Sequence, residues 1–206
     1  MGAFNPSIFQ PYWFKSVGIL TDEEVDRAKV RLIEPEYAEI ELGLITIKAM
    51  NKRFMVFSNA LMLADKVKDF VIYVFRVLHH TPLTAMGINR EIRYKIMDKT
   101  YWHNIGHKLA PKDIWDGQLR NPGMALFGLS GERGDGYEGS VNLRVEPAYE
   151  IKPCGIFISV NNHFTFPDHA KTTNFKLAME ILDKCWDTSL SDIDRFSENI
   201  FNSVKS

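Results

Sequence analysis

Val141-Asn142-Leu143-Arg144-Val145-Glu146 alternates apolar and polar side chains without a break. A period of two is that of a strand with one face on a core and the other toward water. Before it, Met124 to Ser130 is mostly apolar, and after it Ile156, Ile158 and Val160 continue the alternation to Phe164. These are three successive strands. From Thr173 the period changes, because Leu177, Ala178, Ile181, Leu182 and Cys185 recur at helical spacing. Ser191, with Asp194 three residues on, is read as opening a last helix through Ile193, Phe196, Ile200 and Val204.

The first half follows the same plan. Thr21-Asp22-Glu23-Glu24 has the form of a capping box and predicts a short helix. Ala28, Val30 and Leu32 alternate with Arg27, Lys29 and Arg31 as a half-buried strand that Glu34-Pro35 stops. Ala38 to Leu44 and Ile45 to Ala49 carry their apolar residues on opposite parities, so Gly43 is expected to mark a bulge or sharp twist. Asn51-Lys52 turns the chain into Phe54 to Phe57, completing an antiparallel meander. Leu61, Ala64, Val67, Val71, Val74 and Leu78 then repeat at helical spacing from about Ser58 to His79, although the β-branched second half also suits a strand. After Thr81-Pro82, Thr84 to Ile96 alternates as a long strand.

Segregated runs of strands followed by helices predict an α+β fold: two successive antiparallel sheet-then-helix units packed into one compact domain. The halves would be 1–97 and 123–206, joined by a helical linker from Lys99 to Leu109 and a Pro111-started turn to Leu119. The 206 residues hold 25 Lys and Arg against 26 Asp and Glu, with 45% hydrophobic residues, an ordinary globular composition. Basic residues are scattered among acids, which argues against nucleic acid as a partner. The longest apolar stretch, Phe70 to Leu78, is about half the roughly 20 residues needed to span a bilayer. Two cysteines, Cys154 and Cys185, support neither a disulfide framework nor a four-cysteine zinc site, and a cytoplasmic location is expected.

Recognisable chemistry is sparse. Gly134-Asp135-Gly136-Tyr137-Glu138-Gly139 matches the letters of a dinucleotide fingerprint, but it lies between two predicted strands and carries acids that repel phosphate, so it reads as a flexible hairpin loop. His103 and His107 would share a helix face and are an alternative metal pair, with His163, Asp168 or His169 as a third ligand. Asn104 occupies the position of the zincin acid, and two ligands do not make a site, so neither a metal nor another cofactor is expected. No catalytic set is visible. Polar residues on apolar strand faces are more informative. Arg90 shares the parity of Ile88 and Ile92, and Asn162 that of Ile158 and Val160. The favoured reading is a satisfied core network, with Arg90 paired to a carboxylate such as Glu146 or to carbonyls. The alternative is a polar pocket in which Asn89, Arg90 and Asn162 bind a ligand.

His80-Thr81-Pro82-Leu83-Thr84-Ala85-Met86-Gly87-Ile88-Asn89-Arg90, with Asn5-Pro6-Ser7-Ile8-Phe9-Gln10-Pro11 and Leu109-Ala110-Pro111-Lys112, resembles a sporadically distributed family of small uncharacterised bacterial proteins. The resemblance runs over most of the chain. It implies an intracellular bacterial or phage-related α+β protein and carries over no activity or catalytic residue.

Between Phe70 and Leu78 only Arg76 is polar, so this part of the main helix is apolar all round and needs cover on more than one side. The functional expectation is therefore a non-enzymatic interaction or assembly protein, a homodimer or part of a larger complex, with Tyr73 and Phe75 in the interface. A small-molecule-binding protein or hydrolase using the Arg90 and Asn162 pocket is the alternative.

Overall fold

The computed structural model describes residues 1–167 and 174–204. Its strands are β1 (Lys29–Ile33), β2 (Tyr37–Leu42), β3 (Ile45–Met50), β4 (Arg53–Ser58), β5 (Ala85–Ile96), β6 (Phe127–Glu132), β7 (Gly139–Pro147) and β8 (Cys154–Thr165). Its helices are α1 (Pro11–Ser16), α2 (Asp22–Arg27), α3 (Ala64–Val77), α4 (Lys99–Leu109), α5 (Asn174–Lys184) and α6 (Trp186–Asn202). The fold is α+β, with two antiparallel four-stranded sheets of order β1-β2-β3-β4 and β5-β8-β7-β6. Two units emerge: Met1–Met86 with Phe166–Asp183, and Gly87–Thr165 with Lys184–Ser206. The division therefore falls inside β5 rather than after it. The α4 segment belongs to the second unit instead of linking two halves, and the chain returns to the first unit for most of α5.

In the first unit the meander has tight turns. Gly43 does not bend one long strand; it takes a left-handed φ of 62° in a two-residue turn between β2 and β3, with Leu42 paired to Ile45. The change of parity at Gly43 is the signature of that hairpin. Asn51-Lys52 turns β3 into β4, as expected. The capping box at α2 is complete, with Thr21 accepting from Glu24 N–H and Glu24 accepting from Thr21 N–H. β1 is an edge strand, and Val30 and Leu32 are exposed rather than half buried. Alternation marked the strand correctly, but among the described residues these two side chains find little cover.

The core of this unit is aromatic. Phe9 lies 4.8 Å from Phe54 between ring centroids, Phe14 lies 5.2 Å from Phe70, and Phe54 meets Phe75 edge-on at 5.7 Å. Burial of each such ring stabilises the fold by about 1.5–3 kcal/mol. Asn5 opens a short turn over Pro6–Ile8 by accepting from Ser7 N–H, which delivers Phe9 into the core. Pro11 then starts α1, so the segment that reads as an irregular beginning is ordered by turn chemistry.

In the second unit, α4 and α6 contribute Ile105, Ile193 and Ile200 to a core made with Leu143, Val145, Ile156, Ile158 and Val160. These strand residues are the apolar parity read from the sequence. Tyr101 of α4 donates its hydroxyl to Phe201 O of α6 at 2.7 Å, tying the two helices together. α6 begins at Trp186, not at Ser191: Trp186, Leu190 and Ile193 carry its apolar face back through the first turns, interrupted by the buried polar Ser189 and Asp192. Residues Pro111 to Leu119 hold no α-helix but a tight turn at Asp113–Trp115 and, directly after it, a second in which Gln118 and Leu119 N–H donate to Trp115 O.

Candidate functional site

Two polar side chains of the strands, Arg90 and Asn162, enter the covered face of the second sheet. β5 turns Arg90 inward beside Ile88, leaving its side chain 16% exposed. Its Nη1 donates to Leu190 O at 2.7 Å and to Asp194 Oδ2 at 2.6 Å, both on α6. Glu146 is not its partner; that carboxylate takes hydrogen bonds from Arg144. Asn162 of β8 is fully engaged, donating from Nδ2 to Ser189 O at 3.2 Å and accepting at Oδ1 from Arg133. Asn89, one residue from Arg90, lies on the opposite face of the strand and is exposed. The structure brings Arg90 and Asn162 to one helix, α6, and leaves Asn89 apart from them.

Arg133 was not among the expected residues, yet of the ion-paired charges described in this unit it is the most deeply buried, with a side chain only 4% exposed. Its guanidinium lies 3.6 Å over the Phe164 ring, pairs with Asp135 and donates to Asn162 Oδ1 at 3.2 Å. The same pairing holds the Asp135 carboxyl below the usual carboxylate range. Arg133 follows β6 and therefore opens the loop carrying Gly134 to Gly139. That loop is the hairpin connection expected from the sequence, but its start is clamped by charge rather than free. A basic residue one position beyond a strand has no parity to announce its burial, and only its neighbour Asp135 hinted at a pair.

The histidines line a separate cleft of about 160 Å³. α4 places His103 and His107 one turn apart, both exposed, while Ile105 between them points into the core. Trp102 fixes this helix by donating from Nε1 to Gly155 O at 2.9 Å. A side chain at position 155 would strike Ala148 O at 2.5 Å, so glycine permits the close approach of the β7–β8 turn. Lys112 folds back over the end of α4 and donates to Gly106 O at 2.5 Å and to Ala110 O. Burial pushes its ammonium below the ordinary lysine value. Among the described residues no three His, Cys, Asp or Glu side chains come together as a metal site. His163 sits on β8, and Asp168 and His169 lie outside the described residues.

The two aromatic residues expected at an interface part company. Phe75 is 8% exposed and packs between Phe54 and Phe4, so it belongs to the core of the first unit. Tyr73 is 53% exposed, with the guanidinium of Arg76 5.5 Å from its ring. The all-round apolar stretch is thus divided between a buried side and an exposed one. No helix among the described residues is long and apolar enough to cross a membrane.

No protein-family model matches the chain, and neither the curated proteins nor the solved structures yield a match. Function rests on the geometry.

Proposed function

We propose that the protein is a non-enzymatic assembly protein in which two copies pair edge to edge through β6. The observation that carries this reading is the character of that edge. β6 is the outer strand of the second sheet, and from Phe127 to Gly131 it holds no charged residue. Leu129 pairs in register with Leu143 and therefore belongs to the core-side face, yet it is 58% exposed. Leu126, just before the strand, is also exposed and lengthens the apolar strip. Folded proteins guard open edges with charges, prolines or bulges, because unpaired N–H and C=O groups template another strand. An unguarded edge is what a partner strand requires, and a second copy supplies an identical uncharged one in a two-fold antiparallel pair.

The core polar groups favour this class over a hydrolase. Asn162 has both ends of its amide engaged, and Arg90 and Arg133 are ion-paired, so these residues serve the packing of α6 and the β6–β7 loop. Light scattering at micromolar concentration tests the proposal. The expected mass is twice the 23.7 kDa of one chain, falling to one chain in the Leu129→Lys, Gly131→Lys double variant. Apart from its chain neighbours, no described atom lies within 4 Å of where a Cβ would stand at position 131, so a side chain can start there without a clash. A wild-type mass of one chain at every concentration, or a variant that stays double, overturns self-assembly through this edge.

A further inference from the structure

We propose that the cleft beside α4 is a binding site for a small monocyclic aromatic carboxylate. This goes beyond edge pairing and uses a different surface, so either reading can fail alone. The cleft has the division of labour that such a ligand needs. Ile105 and Ile156, both buried, give it an apolar floor, while Trp102, Met124 and Tyr149 supply flat or adaptable walls. Its volume of about 160 Å³ is below the roughly 300–1,000 Å³ of pockets for drug-sized molecules, so one ring fits and two do not.

Its basic side chains are not offset by acids. His103, His107 and Lys112 line the cleft, and among the described residues no Asp or Glu does. An ammonium has three donors. Lys112 directs two of them to Gly106 O and Ala110 O, which leaves a third N–H without a partner among the described residues. Each imidazole offers at least one further N–H in either protonation state. Burial already depresses the Lys112 ammonium, and an incoming carboxylate would supply a counter-charge that no described residue lining the cleft provides.

A second observation comes from the backbone. Asn121, in the wall of the same cleft, has a φ of 52°, the sole positive φ outside glycine among the described residues. Asparagine takes this left-handed conformation more readily than other non-glycine residues, so the turn before Pro122 fixes the shape of that wall.

Nuclear magnetic resonance titration of the full chain with sodium benzoate, benzamide and sodium acetate decides the matter. Benzoate is expected to shift the Trp102 indole N–H saturably, and to bind about tenfold more tightly than either uncharged benzamide or ringless acetate, as one charge-assisted hydrogen bond and one buried ring would each give. Lys112→Met should lower benzoate affinity by a similar factor and benzamide affinity by distinctly less, because only the carboxylate loses a charged partner. Because Lys112 also caps α4, a second variant, Tyr149→Ala, keeps the test sound: it should weaken benzoate and benzamide together. Equal affinity for benzoate and benzamide, equal affinity for benzoate and acetate, or no saturable shift at Trp102 overturns the proposal.

Discussion

The two edges of the second sheet are built on opposite principles. β5 exposes Glu91, Arg93 and Lys95 along one face, and Arg93 pairs with Glu150 at 3.2 Å. β6 exposes Gly128, Leu129, Ser130 and Gly131, without a charge until Glu132. Both are tied to the interior by an arginine: Arg90 within β5 reaches α6, and Arg133, just beyond β6, is clamped over Phe164. Anchoring is therefore common to both edges, and what distinguishes them is protection against another strand. One edge repels strands and the other is open to them.

The largest expected effect breaks that contrast directly. Introducing lysines at positions 129 and 131 gives β6 the charges β5 already has, and like charges brought together across a two-fold pair cost several kcal/mol, roughly a hundredfold or more in dissociation constant. Sedimentation equilibrium measures it, with the thermal melt of the variant showing that the chain still folds.

Next comes the anchor of β6. Arg133→Ala leaves Asn162 Oδ1 without its donor and Asp135 with Tyr137 N–H but without its cation, and it opens space beside the Phe164 ring, which is expected to cost about 3 kcal/mol in urea unfolding. Arg90→Ala should cost less, about 1–2 kcal/mol, because Asp194 is half exposed and water replaces its partner. If the two losses are equal, the greater burial of Arg133 confers no extra stability.

Acid sharpens the comparison further. The pairing with Arg133 depresses the folded-state pKa of Asp135, so its stabilisation is fully present above the ordinary aspartate value near 4 and is lost as pH falls through the lower folded value. Asp135→Asn should therefore reduce the acid-induced fall in stability, read from urea midpoints between neutral and low pH. Unchanged acid sensitivity would show that the pair does not contribute. The smallest effect belongs to β5. Arg93→Ala removes one exposed pair and should change stability by no more than about 1 kcal/mol and the mass not at all.

What could be read from the sequence follows from which residues carry periodic information. Arg90 was legible because Ile88 and Ile92 fix the parity of its strand, and Asn162 because Ile158 and Val160 do the same. Arg133 was not, since it stands past the end of a strand where parity lapses. Val30 and Leu32 show the converse: alternation identified β1 but says nothing about whether a layer covers it. The start of α6 was obscured because the buried polar residues Ser189 and Asp192 interrupt the apolar face of Trp186, Leu190 and Ile193. Phe75 and Tyr73 lie on one apolar helix segment, and only packing against Phe4 and Phe54 separates the buried ring from the exposed one. Helical spacing paired His103 with His107, but their cleft also needs Met124, Tyr149 and Ile156, which no local pattern connects to α4.

Amide hydrogen exchange followed over a range of protein concentrations tests edge pairing most directly. Pairing between copies predicts that protection across Phe127–Glu132 rises with concentration while the outer amides of β5 exchange at a constant rate. Exchange in β6 that is fast and independent of concentration, in protein that remains folded, would contradict it.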